Sequence, residues 1–272
     1  MGRVRFDMHC HTAEGSTDSK VKVLDYIKLL KAQGFGGMLV TDHDSYGGYR
    51  AYKKQKNEAL DFVVLRGIEY DTADYGHFII VLPSDTPEEV YELFEHRGML
   101  LLRLLHIVHE LGGIIGPAHP YGERFLSFGS TRKLGVIEHK LYSRHFDFVE
   151  GYNCCESDER NRRARKLAAA YDLPLFGGSD AHSERCVGLA GCYLPDGVKS
   201  EDDLIRCIEQ GYHPRVGGTR FPKTLKDKMG PAGKFLTYGF FFYNLYGAFV
   251  NYPARCRAYF ATLRWLKYEK NK

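Results

Sequence analysis

Nine side chains of metal-ligating type stand at or near the ends of apolar, strand-like runs in this 272-residue chain: His9, His11, Asp18, His43, Glu69, His77, His119, Asp180 and His182. Two pairs among them, His9/His11 and Asp180/His182, are spaced i, i+2. On an extended segment that spacing sends both side chains to one face, where both can reach a single metal centre. One such pair is weak evidence in a chain with 12 histidines. Two pairs at opposite ends of a β/α array, with further candidates at the strand ends between them, form a pattern. Six imidazoles and three carboxylates buried together without compensation would be costly, whereas divalent cations satisfy them all. Imidazole and carboxylate without thiolate suit Mn, Fe or Zn, and the residue types do not choose among these. His96, His106, His109, His139, His145 and His213 have no such spacing. Cys154-Cys155 reads as two buried, inert thiols.

The elements that must position these groups alternate between strand and helix. Val4 to His11 alternates strictly, which predicts Phe6, Met8 and Cys10 on one face of a strand and Asp7, His9 and His11 on the other. Asp18-Ser19 can cap a helix with the stripe Val23, Leu24, Ile27 and Leu30, stopped by Gly34. Strand-like runs follow at Gly37–His43, Phe62–Glu69, His77–Leu82, Ile114–His119, Phe146–Asn153 and Leu173–His182. Helical patterns lie between them, one opening at Thr86-Pro87 with proline at the first helical position, others over Leu100–Leu111 and Arg160–Tyr171, and a further one opens at Ser200. The alternation predicts an α/β fold with a mostly parallel sheet, barrel or open, and chemistry at the carboxyl ends of the strands. In a closed barrel the first and last strands are neighbours, which would unite the two i, i+2 pairs.

The segments Asp7-Met8-His9-Cys10-His11-Thr12, Thr41-Asp42-His43-Asp44, Gly67-Ile68-Glu69, Gly76-His77, Pro117-Ala118-His119-Pro120 and Gly178-Ser179-Asp180-Ala181-His182 resemble, in order, the motifs of the PHP (polymerase and histidinol phosphatase) domain. The resemblance runs from residue 6 to residue 182. It implies a distorted (β/α)7 TIM-like barrel, a cluster of two to three divalent ions at its mouth, and hydrolysis of phosphate esters. It also gives Asp18 the ligand role that follows the HxH pair, with Glu14 as the alternative, because the intervening spacing is long. The chain resembles the stand-alone branch of the family.

Three divalent ions would carry six positive charges against three negative ones from Asp18, Glu69 and Asp180, and such a surplus suits an anionic ester. A hydroxide bridging two metals would attack phosphorus in line, with no covalent protein intermediate and no dedicated base. A small phosphorylated metabolite or nucleotide is the expected substrate. The alternatives are exonuclease or oligonucleotide phosphodiesterase action and, further off, amidohydrolase-type chemistry. Asp44, beside His43, is the candidate general acid. Arg185 is the candidate catalytic and phosphate-binding arginine, with Arg124 and Arg132 as further phosphate contacts. Asp7 and Asp42 are expected to accept the free N–H groups of ligating histidines.

Composition sets the remaining limits. Hydrophobic residues make up 44% and charged residues 26%, which excludes a disordered chain. Net charge is +4 and pI about 8.5, far from the basic stripe of a dedicated nucleic-acid binder. Seven scattered cysteines and no export-like leader predict reduced thiols in a cytoplasmic protein. The expected division is a barrel over 1–212, with a basic, lid-like insertion near 121–145, and an extension over 213–272. Phe235 to Ala254 carries no charge but is too polar and interrupted to span a membrane stably. That extension reads as a wrapping segment on the barrel or on a second subunit. The alternative is an interfacial segment resting on an anionic membrane through its aromatic residues and the flanking Lys226, Lys228, Lys234, Arg255, Arg257, Arg264 and Lys267.

Overall fold

The computed structural model describes residues 2–55, 61–130, 136–222 and 233–269. The order begins β1 (Arg3–Cys10), α1 (Val23–Ala32), β2 (Gly37–Val40), α2 (Gly47–Gln55), β3 (Val63–Arg66), β4 (Ile68–Asp71) and β5 (His77–Val81). It continues α3 (Glu88–Phe94), α4 (Leu101–Glu110), β6 (Ile114–Pro117), α5 (Val136–Ser143), β7 (Val149–Asn153), α6 (Asp158–Tyr171) and β8 (Leu175–Gly178). The last elements are β9 (Ala190–Pro195), α7 (Glu201–Glu209), β10 (Arg215–Gly218), α8 (Gly233–Val250) and α9 (Tyr252–Glu269). Arg132, expected in the basic insertion, lies outside the described residues.

The strands form three ladders: β10-β9-β1-β2-β3, β4-β5-β6 and β7-β8. Only β1-β2-β3 and β7-β8 are parallel; β5, β9 and β10 pair antiparallel, so the sheet is mixed rather than mostly parallel. No continuous ladder closes a barrel among the described residues. Single contacts span the gaps instead. Asp147 N–H donates to Ile115 O at 3.0 Å between β6 and the start of β7, and Asp180 N–H donates to His9 O at 2.8 Å between the end of β8 and β1. The third gap opens at Gly67, which splits the expected single run Phe62–Glu69. A Cβ there would lie 2.9 Å from Leu39 Cδ1 and 3.2 Å from the Ile80 carbonyl oxygen, so glycine lets the chain leave one ladder for the next.

An interior cluster joins Phe6, Met8, Leu39, Leu65, Ile79, Val81, Phe148 and Phe176, the last two stacked with ring centroids 3.9 Å apart. Cys10 does not share it. A register shift between Asp7 and Cys10 breaks the expected alternation and sends Cys10 into the cluster beneath α1 and α2. The start of α1 also differs from expectation. Its N-cap is Lys22, and Val23 N–H is satisfied by Glu14 Oε2 at 3.0 Å, not by Asp18 or Ser19. Pro87 likewise sits at the N-cap of α3, one position before the first helical residue. α7 begins with the reciprocal Ser200–Asp203 capping box, worth about 1 kcal/mol in such settings.

Candidate metal centre

Glu69, on β4, is fully buried and ringed by five imidazoles. Its Oε1 lies 2.9 Å from His119 Nε2 and 3.0 Å from His77 Nδ1. Its Oε2 lies 3.2 Å from His9 Nε2, His11 Nε2 and His43 Nδ1. His9 comes from β1 and His11 from just beyond it, and their Nε2 atoms are 3.0 Å apart. His77 opens β5. Because β5 runs antiparallel to β4 and β6, in register Asp71↔His77 and Phe78↔Pro117, its first residue meets the last residues of its neighbours. A carboxyl-end rule therefore covers His77 only through strand reversal.

The far side is built by the β8–β1 junction. Asp180 Oδ1 lies 3.2 Å from His11 Nε2, and the His182 and His11 rings stack at 4.4 Å. Asp180 holds φ +49°, so the Asp180/His182 pair sits on a bend after β8, not on an extended strand. Asp18 Oδ2 reaches His182 Nε2 at 3.1 Å and His43 Nε2 at 3.6 Å. Glu14 is turned away to α1. The geometry thus places Asp18, and not its alternative, against the cluster.

Four overlapping groups have ligand atoms within 4.8 Å of one another: His11/His43/His182, His9/His11/Asp180, His43/Asp71/His77 and Glu69/His77/His119. His43 Nδ1, Glu69 Oε2 and Asp71 Oδ1 are buried and make no hydrogen bond, meeting one another and their neighbours only as ion-pair partners, Asp71 Oδ1 lying 3.0 Å from His77 Nε2. Imidazole and carboxylate atoms buried together in this way, several without a hydrogen bond, fit several divalent cations, since buried polar atoms are otherwise hydrogen-bonded. The electrostatics agree. Burial depresses His9, but the carboxylates of Glu150, Glu69 and Asp180 overcome it and hold the ring well above the ordinary histidine value. Burial likewise opposes the charge of Glu69, yet His9, His43 and His77 pull it well below the carboxylate range. His43 is the exception, pushed down to about 4 by burial against the attraction of Glu69.

Other residues hold these side chains in place. Glu150 Oε1 lies 2.9 Å from His9 Nδ1, brought there by a register shift in β7 between Glu150 and Tyr152. Ser16 Oγ lies 3.2 Å from His11 Nδ1, and Ser127 Oγ 3.1 Å from His119 Nδ1. Asn153 donates to Asp180 Oδ2 at 3.1 Å. Arg97 forms ion pairs with Asp71 Oδ2 at 3.2 Å and with Asp44 Oδ2 at 2.9 Å. Glu150→Gln should weaken metal binding by about 10–100-fold, the usual effect of losing a ligand's orienting carboxylate. Competition titration with a chromogenic chelator checks this, and an unchanged affinity would remove Glu150 from the site.

Several expected roles need correction. Asp7 accepts from the backbone N–H groups of Ser179 (2.9 Å) and His9 (3.3 Å), not from an imidazole. Asp42 accepts from Thr12 N–H, Thr12 Oγ1, Ser16 Oγ and Gly48 N–H. Its carboxylate reaches the His11 ring through Ser16, and its backbone carbonyl accepts from Glu69 N–H at 3.2 Å. Both oxygens of Asp44 are engaged, one by Arg97 and the other by Asp71 N–H at 2.9 Å, which makes it a brace and not an acid facing a substrate. Arg124 is drawn to α8, its guanidinium 3.4 Å from Tyr238 Oη and over the Phe125 ring. Arg185 is exposed on the short 3-10 turn Glu184–Cys186. Asp71, Glu150, Asn153 and Arg97 were absent from the sequence reading. Asp71 had a signal, since it stands two residues after Glu69 on the same strand face.

A model of the PHP domain matches residues 7–171, more than half of the chain. The chain belongs to the PHP family. A second model, described as PHP-associated, matches residues 158–212 of this PHP protein. No curated protein is a recognisable match to its sequence. Among solved structures, PsfC from Pseudomonas syringae is 15% identical with a TM-score of 0.58, covering 94% of this chain and 99% of that one. A two-domain protein from Bacteroides vulgatus described as containing a predicted PHP-like metal-dependent phosphoesterase is 16% identical with a TM-score of 0.58, over 80% of this chain and 65% of that one. This chain therefore spans just under two thirds of that relative. The lesion-specific endonuclease PfuEndoQ from Pyrococcus furiosus is 19% identical with a TM-score of 0.59, over 79% and 58%. At these identities the likeness is one of fold.

Proposed function

We propose that this PHP protein hydrolyses the phosphomonoester of a small metabolite or nucleotide at a centre of two to three divalent ions, set in the mouth of a distorted (β/α)7 barrel. The observation that carries the reading is Glu69 encircled by five imidazoles, with the buried carboxylates of Asp71 and Asp180 against the same rings. His9, His11, Asp18, His43, Glu69, Asp71, His77, His119, Asp180 and His182 would hold the ions. Divalent ions bound there supply Lewis acidity toward the phosphoryl group and make water a nucleophile near neutral pH. The protein's own part is preorganisation. Glu150, Ser16 and Ser127 fix three imidazoles by their second nitrogen, and Asn153 and Arg97 fix Asp180 and Asp71. Side chains already held in place lose little freedom when ions and substrate arrive. With three ions bound, six positive charges would exceed the four carboxylates of Asp18, Glu69, Asp71 and Asp180 and favour an anion, with Arg185 the exposed guanidinium available to a phosphate oxygen.

A phosphodiesterase reading draws support from the shared fold of endonuclease Q, solved with a 27-mer duplex carrying an abasic lesion. The deciding experiment loads the purified protein separately with Mn, Fe and Zn and compares p-nitrophenyl phosphate with its bis-ester and with a dihydropyrimidine amide. Turnover of the monoester, abolished by Asp180→Asn, is the expected result. Turnover of the bis-ester alone would transfer the assignment to phosphodiesters, and amide turnover alone to amidohydrolase chemistry.

A further inference from the structure

α8 and α9 follow one another with only Asn251 between them, and Pro253 in the first turn of α9 has no backbone N–H to donate. One face of this pair is committed to the protein. Phe241 packs on Phe125 with ring centroids 4.7 Å apart, Asn244 accepts from Arg97 at 3.1 Å, and Ala258 and Leu266 join the core cluster beneath α3 and α4. With the buried Ala248 and Thr262 these positions recur every three or four residues along each helix, so the opposite face points outward. On α8 that outer face is Phe242, Leu245, Tyr246, Phe249 and Val250, each more than half exposed, with Phe249 at 79%. Tyr252 and Phe260 extend it onto α9. A continuous apolar strip of this kind is far larger than the scattered surface hydrophobes of an ordinary monomer.

Charge identifies the occupant. From Lys228 to Tyr268 the sequence contains no Asp or Glu, the first acidic residue being Glu269 at the end of α9, and Arg257 and Arg264 stand exposed on α9. We propose that this face docks flat on a membrane surface rich in anionic lipid. Phe242, Leu245, Phe249 and Val250 enter the acyl boundary, the tyrosines sit at headgroup level, and the cations of α9 meet lipid phosphates. An isologous pair of chains would bury the aromatic strip but bring no acidic residue of the segment 228–268 to face Arg257 and Arg264. A nucleic acid would need phosphate contacts interleaved with the aromatic residues, and Phe235 to Ala254 offers no cation. The mode is peripheral, since no described helix is long and apolar enough to cross a membrane. This inference is independent of the reaction at the metal centre.

Co-sedimentation of the full chain with vesicles tests it, using phosphatidylcholine alone and phosphatidylcholine with phosphatidylglycerol in equal parts. The protein should pellet with the anionic vesicles. Binding should fall at least about tenfold for Phe249→Glu, and fall with added salt and in Arg257→Glu/Arg264→Glu. Because these side chains face solvent, the variants should keep the wild-type circular dichroism and thermal midpoint. Failure to pellet with either vesicle, or equal pelleting with both, would overturn the proposal. So would a dimer in light scattering that Phe249→Glu dissociates, or tighter binding to a single-stranded oligonucleotide than to vesicles.

Discussion

Glu69→Gln should strip the centre of at least one ion per chain and lower phosphoester turnover by on the order of a thousandfold, beyond the roughly 10–100-fold cost of losing an outer partner. The substitution keeps the volume of the side chain, so the effect is electrostatic. A fully buried carboxylate is the shared anion of five imidazoles, and an amide removes its charge. The amide also points an N–H₂ donor into a space built from lone pairs, where a cation would otherwise sit. Metal content by mass spectrometry and turnover of p-nitrophenyl phosphate should fall together. Full metal loading with retained turnover would refute the placement of Glu69 at the heart of the site.

Chelation should have the second large effect. Removing the ions should abolish turnover, and restoring them at a thousandfold excess over their dissociation constant should return about 4 kcal/mol of stability. For a chain of this size that corresponds to a thermal midpoint shift on the order of 10 °C. The shift should depend on pH in a definite direction. Without ions, His9, His77 and His11 hold protons above the ordinary histidine value, His11 up to about 10, because buried carboxylates face them. The stability these histidines contribute is complete below their unfolded value and is lost as pH rises through the raised folded values. Glu69 and Asp180, with lowered values, contribute above the unfolded carboxylate value and lose that contribution in acid. Binding a divalent ion must displace the histidine protons, so the gap between loaded and chelated protein should widen from pH 6 to pH 8. Calorimetry in buffers of different ionisation enthalpy should register proton release on metal uptake. A gap that narrows with rising pH would contradict the ligand set.

Much of the centre was readable because its ligands differ chemically from the strands that carry them: an imidazole or carboxylate ending an apolar run is conspicuous. What periodicity does not encode is strand direction and local slippage. His77 reaches the site from the start of an antiparallel strand, which no one-dimensional pattern reveals. The shift between Asp7 and Cys10 defeats strict alternation, and a similar shift in β7 delivers Glu150 to His9 across 141 positions of sequence. Asp7 and Asp42 were misread for a related reason. Adjacency to a ligand in sequence suggested adjacency to its ring, but both carboxylates spend their lone pairs on backbone amides and hydroxyls that shape the loops. Asp18 and Glu14 were separable only once one of them was seen to cap α1.

Arg97 belongs to two neighbourhoods at once. It braces Asp71 and Asp44 while its other contacts, Asn244 and the Tyr243 ring at 4.7 Å, come from α8, a helix beyond both matched family regions. A catalytic core trimmed to those regions would retain every imidazole yet leave this guanidinium open to water on one side, loosening its grip on two carboxylates. The terminal helices are thereby a keystone for the acidic wall, and transplanting the core without them would carry over the ligands but not their rigidity.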